Sequence, residues 1–333
     1  MSERVRIVDI AEELGVSTAT VSNVIHGKTK KISDETVKRV QELLEKRQYI
    51  PSMAGILLAQ NDSKIVGVVV NNHEKYEGHV LEDGFISSSL NYLSAELEKA
   101  GYFMMVKVTK EWNEISRFAS MWNMEGIIVI GFCEQDYQKL KETTHIPFIV
   151  YDGYFEQNES FANITIDNYS GGFQMGSYLK SMGHKNLLCI SDNNMCMDME
   201  RYKGFCDALK EEKTEFLLIP MEKEERKKFY KENLEKIKQY TAVFAVSDYY
   251  ALDLINFLQA EQIKVPEEIS VAGFDDSPLC GQVYPKITTI KQDGKLRAQT
   301  ALKMLTELKN GVMEGKNIIQ PVLLVERESV IRR

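Results

Sequence analysis

From residue 65 onward, short apolar runs alternate with amphipathic stretches, and this alternation restricts the fold more than any other feature. The runs are Ile65–Val70, Tyr102–Val108, Gly126–Gly131, Phe148–Tyr151, Leu187–Ser191, Phe216–Ile219, Ala242–Ser247 and Ile269–Phe274. Between them the spacing predicts helices, among them Leu90–Ala100, Asn168–Met182, Arg201–Glu212, Glu224–Tyr240 and Ala251–Glu261. Strand–helix alternation of this kind implies parallel sheets with helices on both faces. So many runs exceed one comfortable sheet, so two doubly wound subdomains are expected.

The first sixty residues differ: they carry helical spacing only. Ile7, Ile10, Ala11 and Leu14 share one helical face, and Gly15 stands where a helix ends in a left-handed residue. Ser17 occupies the N-cap position of a second helix, whose apolar face continues through Val21 and Val24. A small residue at Ala11, a glycine four later and a β-branched residue six after that form the skeleton of a helix-turn-helix. With that face committed, Ser17, Thr18, Ala19, Thr20, Ser22, Asn23 and His26 point outward. Small hydroxyls at a helix N-terminus suit phosphate contacts, and an asparagine can read adenine in the major groove. Lys28, Lys30 and Lys31 follow, and a third helix is expected from after Ser33 to about Arg47.

Asp9-Ile10-Ala11, Gly15-Val16-Ser17-Thr18-Ala19-Thr20-Val21-Ser22, Ile32-Ser33-Asp34-Glu35-Thr36 and Tyr49-Ile50-Pro51 together resemble the head of the lactose-repressor (LacI/GalR) family of bacterial transcription regulators. The resemblance implies a hinge after the head that folds on operator DNA and wedges a leucine into the minor groove. Leu58, seven after Pro51, stands at that position. Three departures stand out: Arg6 replaces the usual threonine cap, Asn23 replaces a common arginine, and the hinge contains Gly55. The glycine weakens an isolated helix by ~1 kcal/mol relative to alanine, so hinge ordering should depend more on DNA.

The resemblance continues, more loosely, through Arg201-Tyr202-Lys203-Gly204-Phe205, Ser247-Asp248, Val265–Asp276, Thr288–Gln292 and Glu326–Ser329. It implies a core similar to periplasmic sugar-binding proteins, two lobes with a ligand cleft between them. The expected fold class is therefore α/β: an all-α helix-turn-helix head on a two-lobed core of doubly wound parallel sheets. The expected division is a head at 1–50, a hinge at 51–62 and a core at 63–333. Lobe 1 would take about 63–164 and 293–319, and lobe 2 about 165–292 and 320–333. In open α/β sheets ligands bind beyond the carboxyl ends of strands. Asp152, Ser247, Asp248 and Asp275 lie at or just after strand ends, and Arg201 is read as opening a helix. Carboxylates facing a guanidinium suit a polyhydroxylated ligand, and the resemblance adds Phe85 and Gln292. Ser247 in place of the family's asparagine, and Gly294 where an aromatic often stacks on the sugar, argue against a plain pyranose.

The formal net charge of −8 argues against DNA binding until it is divided. Residues 1–62 hold nine Lys+Arg and nine Asp+Glu, so the whole excess belongs to the core. The five cysteines have no C-x-x-C spacing, which speaks against a zinc knuckle or a disulfide framework. No apolar segment follows the N-terminus and no apolar run is long enough to span a bilayer, so the expected compartment is the cytoplasm. Phosphate loops, dinucleotide fingerprints and nucleophile elbows are absent, so neither catalysis nor a cofactor is expected. The sequence therefore predicts a regulator, a homodimer or tetramer, with double-stranded operator DNA and a small carbohydrate-like effector as partners and no membrane association. An enzyme with an appended helical domain is one rival, its test being catalytic residues that converge in the cleft, and two more remain open. One is a solute-binding protein without gene regulation. The other is a metal-responsive regulator using the soft Met/Cys loop Asp192–Met199.

Overall fold

The computed structural model describes residues 5–50, 63–155, 161–210, 212–312 and 316–333. The chain forms two compact units, residues 1–63 and 64–333. The proposed hinge, with Gly55 and Leu58, lies outside the described residues.

The first unit packs α1 (Ile7–Leu14), α2 (Thr18–Ile25) and α3 (Asp34–Lys46) around Ile10, Ala11, Val21, Val24, Val40 and Leu43. Gly15 ends α1 at φ +67°, the left-handed conformation that glycine adopts without strain. The Ser17 and Ser33 hydroxyls cap α2 and α3, accepting the Thr20 and Thr36 amides at 3.1 and 3.3 Å. Arg6 stands at the cap of α1, and the structure shows what compensates for the missing threonine. The Asp9 carboxylate accepts the Arg6 backbone N–H at 2.7 Å and its guanidinium at 3.1 Å, so the turn closes through a salt bridge instead of a hydroxyl.

The second unit alternates strand and helix. Its first segment contains β1 (Ile65–Asn71), α4 (Gly84–Lys99), β2 (Phe103–Thr109), α5 (Trp112–Met121), β3 (Gly126–Ile130), α6 (Glu134–Thr143), β4 (Phe148–Tyr151) and β5 (Asn163–Ile166). Next come α7 (Asn168–Ser181), β6 (Asn186–Ser191), α8 (Cys196–Leu209), β7 (Lys213–Leu218), α9 (Lys223–Glu232), α10 (Leu234–Ile237), β8 (Ala242–Ala245), α11 (Asp248–Ala260) and β9 (Ser270–Ala272). The chain ends with β10 (Thr289–Gln292), α12 (Gly294–Lys309), β11 (Asn317–Gln320) and β12 (Val322–Val325). Six parallel strands form one sheet in the order β11-β5-β4-β3-β1-β2, and four form another in the order β7-β6-β8-β9. β10 and β12 pair antiparallel beside the second sheet, to which Asp275↔Lys291 and Ala272↔Thr288 bridges attach them. The chain thus passes between the sheets after β5, after β10 and between β11 and β12.

Central β1 pairs with both β2 and β3 and is buried from Ile65 to Val70, which is why it reads as an unbroken apolar run. Edge strand β2 is partly exposed and tolerates Lys107. Several sequence boundaries shift: α4 starts at Gly84 instead of Leu90, β7 at Lys213 instead of Phe216, and three more shifts have a visible cause or move a site residue. The helix carrying Arg201 begins at Cys196, so Arg201 lies within α8 instead of opening it. The 224–240 pattern breaks at Asn233, whose side chain bonds back to the Phe229 carbonyl at 2.9 Å. The run at 242 ends as a strand at Ala245, because Ser247 caps α11. Among the described residues no helix is long and apolar enough to cross a membrane.

Candidate functional site

On α2, Val21 and Val24 turn inward and fix what faces out. Ser17, Thr18, Ala19 and Asn23 are exposed, whereas Thr20, Ser22 and His26 are half-buried. The Ser17 and Thr20 hydroxyls share a 2.8 Å hydrogen bond, so Ser17 is both helix cap and surface group. Thr18, Ala19 and Ser22 also line an open hollow of about 680 Å³ with Arg6, Tyr49 and Ile50. Lys28, Lys30 and Lys31 are exposed beyond the helix end, and among the described residues no carboxylate pairs with them. A surface of small hydroxyls, one amide and three cations around a helix N-terminus can hold phosphates and present an amide to a base edge.

In the core, the carboxyl ends of the strands of both sheets carry the charged groups. Asp152 follows β4 at φ +64° and is buried. Its Oδ1 accepts the Thr165 hydroxyl at 3.1 Å and lies 3.5 Å from Arg297 Nη1. Arg201 is buried on α8. It donates through Nε to Asn168 Oδ1 at 2.9 Å and through Nη1 to the Val246 carbonyl at 2.6 Å, and its guanidinium lies 3.8 Å from the centre of the Phe274 ring. Asp275 stands 3.9 Å from Arg201 Nη1 and accepts the Gln292 amide. Burial pushes its carboxyl well above the usual range, against the pull of Arg201.

Asp248 differs from these. Its two oxygens accept the Ser277 amide at 2.7 Å and the Thr289 hydroxyl at 2.6 Å, which ties α11 to β10, and burial pushes its pKa up to about 6. Ser247 caps α11, accepting the Tyr250 amide at 3.4 Å. Of the seven core residues expected at the site, Phe85, Asp275 and Gln292 line one cavity of about 130 Å³. Asp152, Arg201, Ser247 and Asp248 do not line it, although Asp152, Arg201 and Asp248 contact the lining residues Arg297, Asp275 and Ser277.

That cavity adds residues that sequence reasoning missed: Ser88, Ser89 and Tyr92 on α4, Tyr151 on β4, Lys291 on β10 and Arg297 on α12. Tyr92 accounts for Gly294, since a Cβ there would stand 2.8 and 2.9 Å from two ring carbons of Tyr92. The ring of Tyr92 on α4 thus fills the space that a side chain at position 294 would take. The signal for Arg297 was present in the sequence. It falls at i, i+4, i+7 and i+8 with Ala301, Met304 and Leu305, on the buried stripe of its helix. With acceptors, hydroxyls, cations and aromatic faces converging, the cavity can hold a small polar molecule by orientation-specific bonds. In the Met/Cys loop, Cys196 to Met199 form the first turn of α8. Among the described residues no three His, Cys, Asp or Glu side chains converge as a metal would require.

Residues 6–52 match the lacI family of bacterial regulatory proteins, and residues 177–330 match the periplasmic binding protein-like domain. The chain therefore joins a head similar to the lacI family of regulators to a core similar to periplasmic binding proteins. It is 27% identical over 342 residues to the HTH-type transcriptional regulator MalR of Clostridium butyricum, spanning 97% of this chain and 98% of that one. It is 28% identical over 340 residues to the HTH-type transcriptional repressor PurR of Vibrio atlanticus (strain LGP32), spanning 97% and 98%. Its fold matches the lac repressor dimer bound to operator and the anti-inducer ONPF with a TM-score of 0.81 at 21% identity, covering 99% of this chain and 100% of that one. It also matches the transcriptional regulator CelR–cellobiose complex with a TM-score of 0.71 at 21% identity, covering 98% and 100%.

Proposed function

We propose that this LacI-family regulator is a cytoplasmic repressor that binds a pseudo-palindromic operator as a homodimer or tetramer and releases or grips it in response to a small polar effector. The observation that carries this reading is the pairing, in one chain, of a helix-turn-helix with an open polar face and a two-sheet core with a charged cavity at its strand ends. The head would take residues 1–50, the hinge 51–62 and the two-lobed core 63–333. Ser17, Thr18, Ala19, Thr20, Ser22, Asn23 and His26 would meet the operator, with Leu58 as the minor-groove wedge. Phe85, Asp275 and Gln292 would touch the effector. Arg201 and Asp152 would orient and polarise that wall, while Ser247 and Asp248 hold the turns that form it. Control requires that the effector bind one arrangement of the lobes more tightly than the other.

The test is selection of operator sequences from random duplex DNA with the full chain, followed by titration of the selected duplex. Deleting residues 1–62 is expected to abolish duplex binding while leaving ligand-induced thermal stabilisation of the core. Loss of both would contradict a modular regulator. Arg201→Ala is expected to remove the ligand response and spare DNA binding, and an unchanged response would remove Arg201 from the site.

A further inference from the structure

Arg297 is the feature of the core that the fold alone does not explain. It is 1% exposed, yet it lines the cavity beside Phe85, Lys291 and Gln292. Phe85 and Tyr151 hold the guanidinium between their rings, at 5.5 and 5.4 Å from their centres. Nη2 donates to Gln292 Oε1 at 2.6 Å and Nη1 lies 3.5 Å from Asp152, but Nε has no hydrogen-bond partner. An unpartnered N–H on a buried guanidinium forfeits its hydration without compensation unless a ligand supplies the acceptor.

The charge balance of the cavity points the same way. Four charged side chains line it: Asp275, Asp276, Lys291 and Arg297. Asp276 is held by Arg327 at 2.5 Å, and Asp275 by Gln292 and the nearby Arg201. Among the described residues Lys291 is engaged in no ion pair, and Arg297 meets its carboxylate through one arm only. The uncompensated charge facing the cavity is therefore positive. The hydroxyls of Ser88 and Ser89 stand in the same wall as further donors.

We propose that the effector of this regulator carries an oxyanion, a phosphate or a carboxylate on a polyhydroxylated body, and that Arg297 with Lys291 receives it. The proposal rests on the cleft being the effector site and names what that site selects. The cavity of about 130 Å³ brings Arg297, Lys291 and the Ser88 and Ser89 hydroxyls to one wall, where an oxyanion would meet several donors at once. Arginine suits the task because its planar fork binds two oxygens at once while its Nε remains a fifth donor.

The test uses the full chain and a matched panel: glucose, galactose and ribose, the corresponding sugar phosphates, glucuronate and galacturonate, and inorganic phosphate. Thermal shift and calorimetric titration are compared for the wild type, Arg297→Lys, Arg297→Leu and the paired Asp152→Asn/Arg297→Leu. The pair guards against misfolding from a stranded buried carboxylate. At least one anionic member is expected to bind the wild type more tightly than its neutral parent. That preference should fall ~10-fold or more in Arg297→Leu and in the paired variant, and less in Arg297→Lys. A response to phosphates alone, or to uronates alone, decides which oxyanion is used. Neutral sugars that bind as well as their anionic partners, in a manner lost in Arg201→Ala, would overturn the oxyanion and leave the cleft reading standing. No response to any sugar would count against both.

Discussion

The crossing of α7 on α8 offers a substitution whose consequence can be worked out from the structure. Gly172 on α7 faces the Arg201 carbonyl, and Gly204 on α8 faces the Tyr169 carbonyl, so the two backbones touch with no side chain between them. A Cβ built on Gly172 would fall well inside contact distance of backbone atoms of Arg201, and backbone cannot rotate away as a side chain would. Relief requires the helices to separate by roughly 1 Å or more, in an interior packed too densely to absorb it. The bond from Arg201 Nε to Asn168 Oδ1, now 2.9 Å, spans this crossing and would stretch past hydrogen-bonding range. Overpacking costs about 1–3 kcal/mol, and losing a charged, buried hydrogen bond costs about 1.5–3 kcal/mol more. Alanine returns at most ~1 kcal/mol through helix propensity. Gly172→Ala should therefore destabilise the core by roughly 2–5 kcal/mol and loosen Arg201 together with it. Urea denaturation followed by core fluorescence gives the first quantity, and ligand titration the second. Gly281→Ala serves as the control, because nothing lies within 4 Å of its Cβ position. A Gly172→Ala protein as stable as the control, with unchanged ligand response, would refute the claim that backbone contact positions Arg201.

Three further outcomes follow from particular residues. The folded chain keeps the Asp248 proton up to about pH 6, whereas the ordinary value is 3.8. The stabilising contribution of this group is thus fully present below about pH 4 and is lost as pH rises through 6, on the order of 3 kcal/mol in all. Asp248→Asn should flatten that part of the stability–pH curve, and an unaltered slope would assign it to other groups. Gly15→Ala meets no atom within 4 Å but must hold φ +67°, so its penalty is purely conformational, about 1 kcal/mol. Amide exchange at the α1–α2 turn of the full chain should accelerate roughly fivefold, with Gly15→Asn intermediate; equal rates in all three would show that the turn tolerates a side chain. Leu58→Ala is expected to weaken binding to the selected operator more than to random duplex, because a wedge acts through deformation of a particular step; equal losses would remove the wedge.

The fold was legible where one signal dominated. Strands β1, β3, β4 and β6 are covered on both faces, and their apolar runs match the observed strands to within a residue or so. The head was legible for a related reason: Ala11, Gly15, Ser17 and Val21 each satisfy a separate local requirement at fixed spacing. Edge strand β11 escaped notice because Asn317 and Ile319 face solvent, leaving no continuous run. β10 and β12 pair with each other outside both main sheets, and a four-residue antiparallel ladder leaves little periodicity to detect. α12 was open to the same reading as the other helices: Ala298, Ala301, Met304 and Leu305 lie at helical spacing, and Arg297 is the charged residue on that buried face.

The site was harder to read than the fold for a physical reason. A charged side chain at a strand end looks the same in sequence whether it faces a ligand or locks a turn; what differs is how many of its bonds are already made. Asp248 has both oxygens occupied by Ser277 and Thr289, so its burial is explained by the fold. Arg297 is more deeply buried, yet one of its nitrogens has nothing to bond and its carboxylate partner reaches only one arm. The same contrast separates Gly294, emptied to admit the Tyr92 ring, from Gly172, emptied to admit a neighbouring backbone. On the proposed reading, the residues that specify a ligand would be those whose placement the rest of the chain leaves incomplete, and by that criterion α4 and α12 would bear on effector choice more than the strand-end carboxylates do.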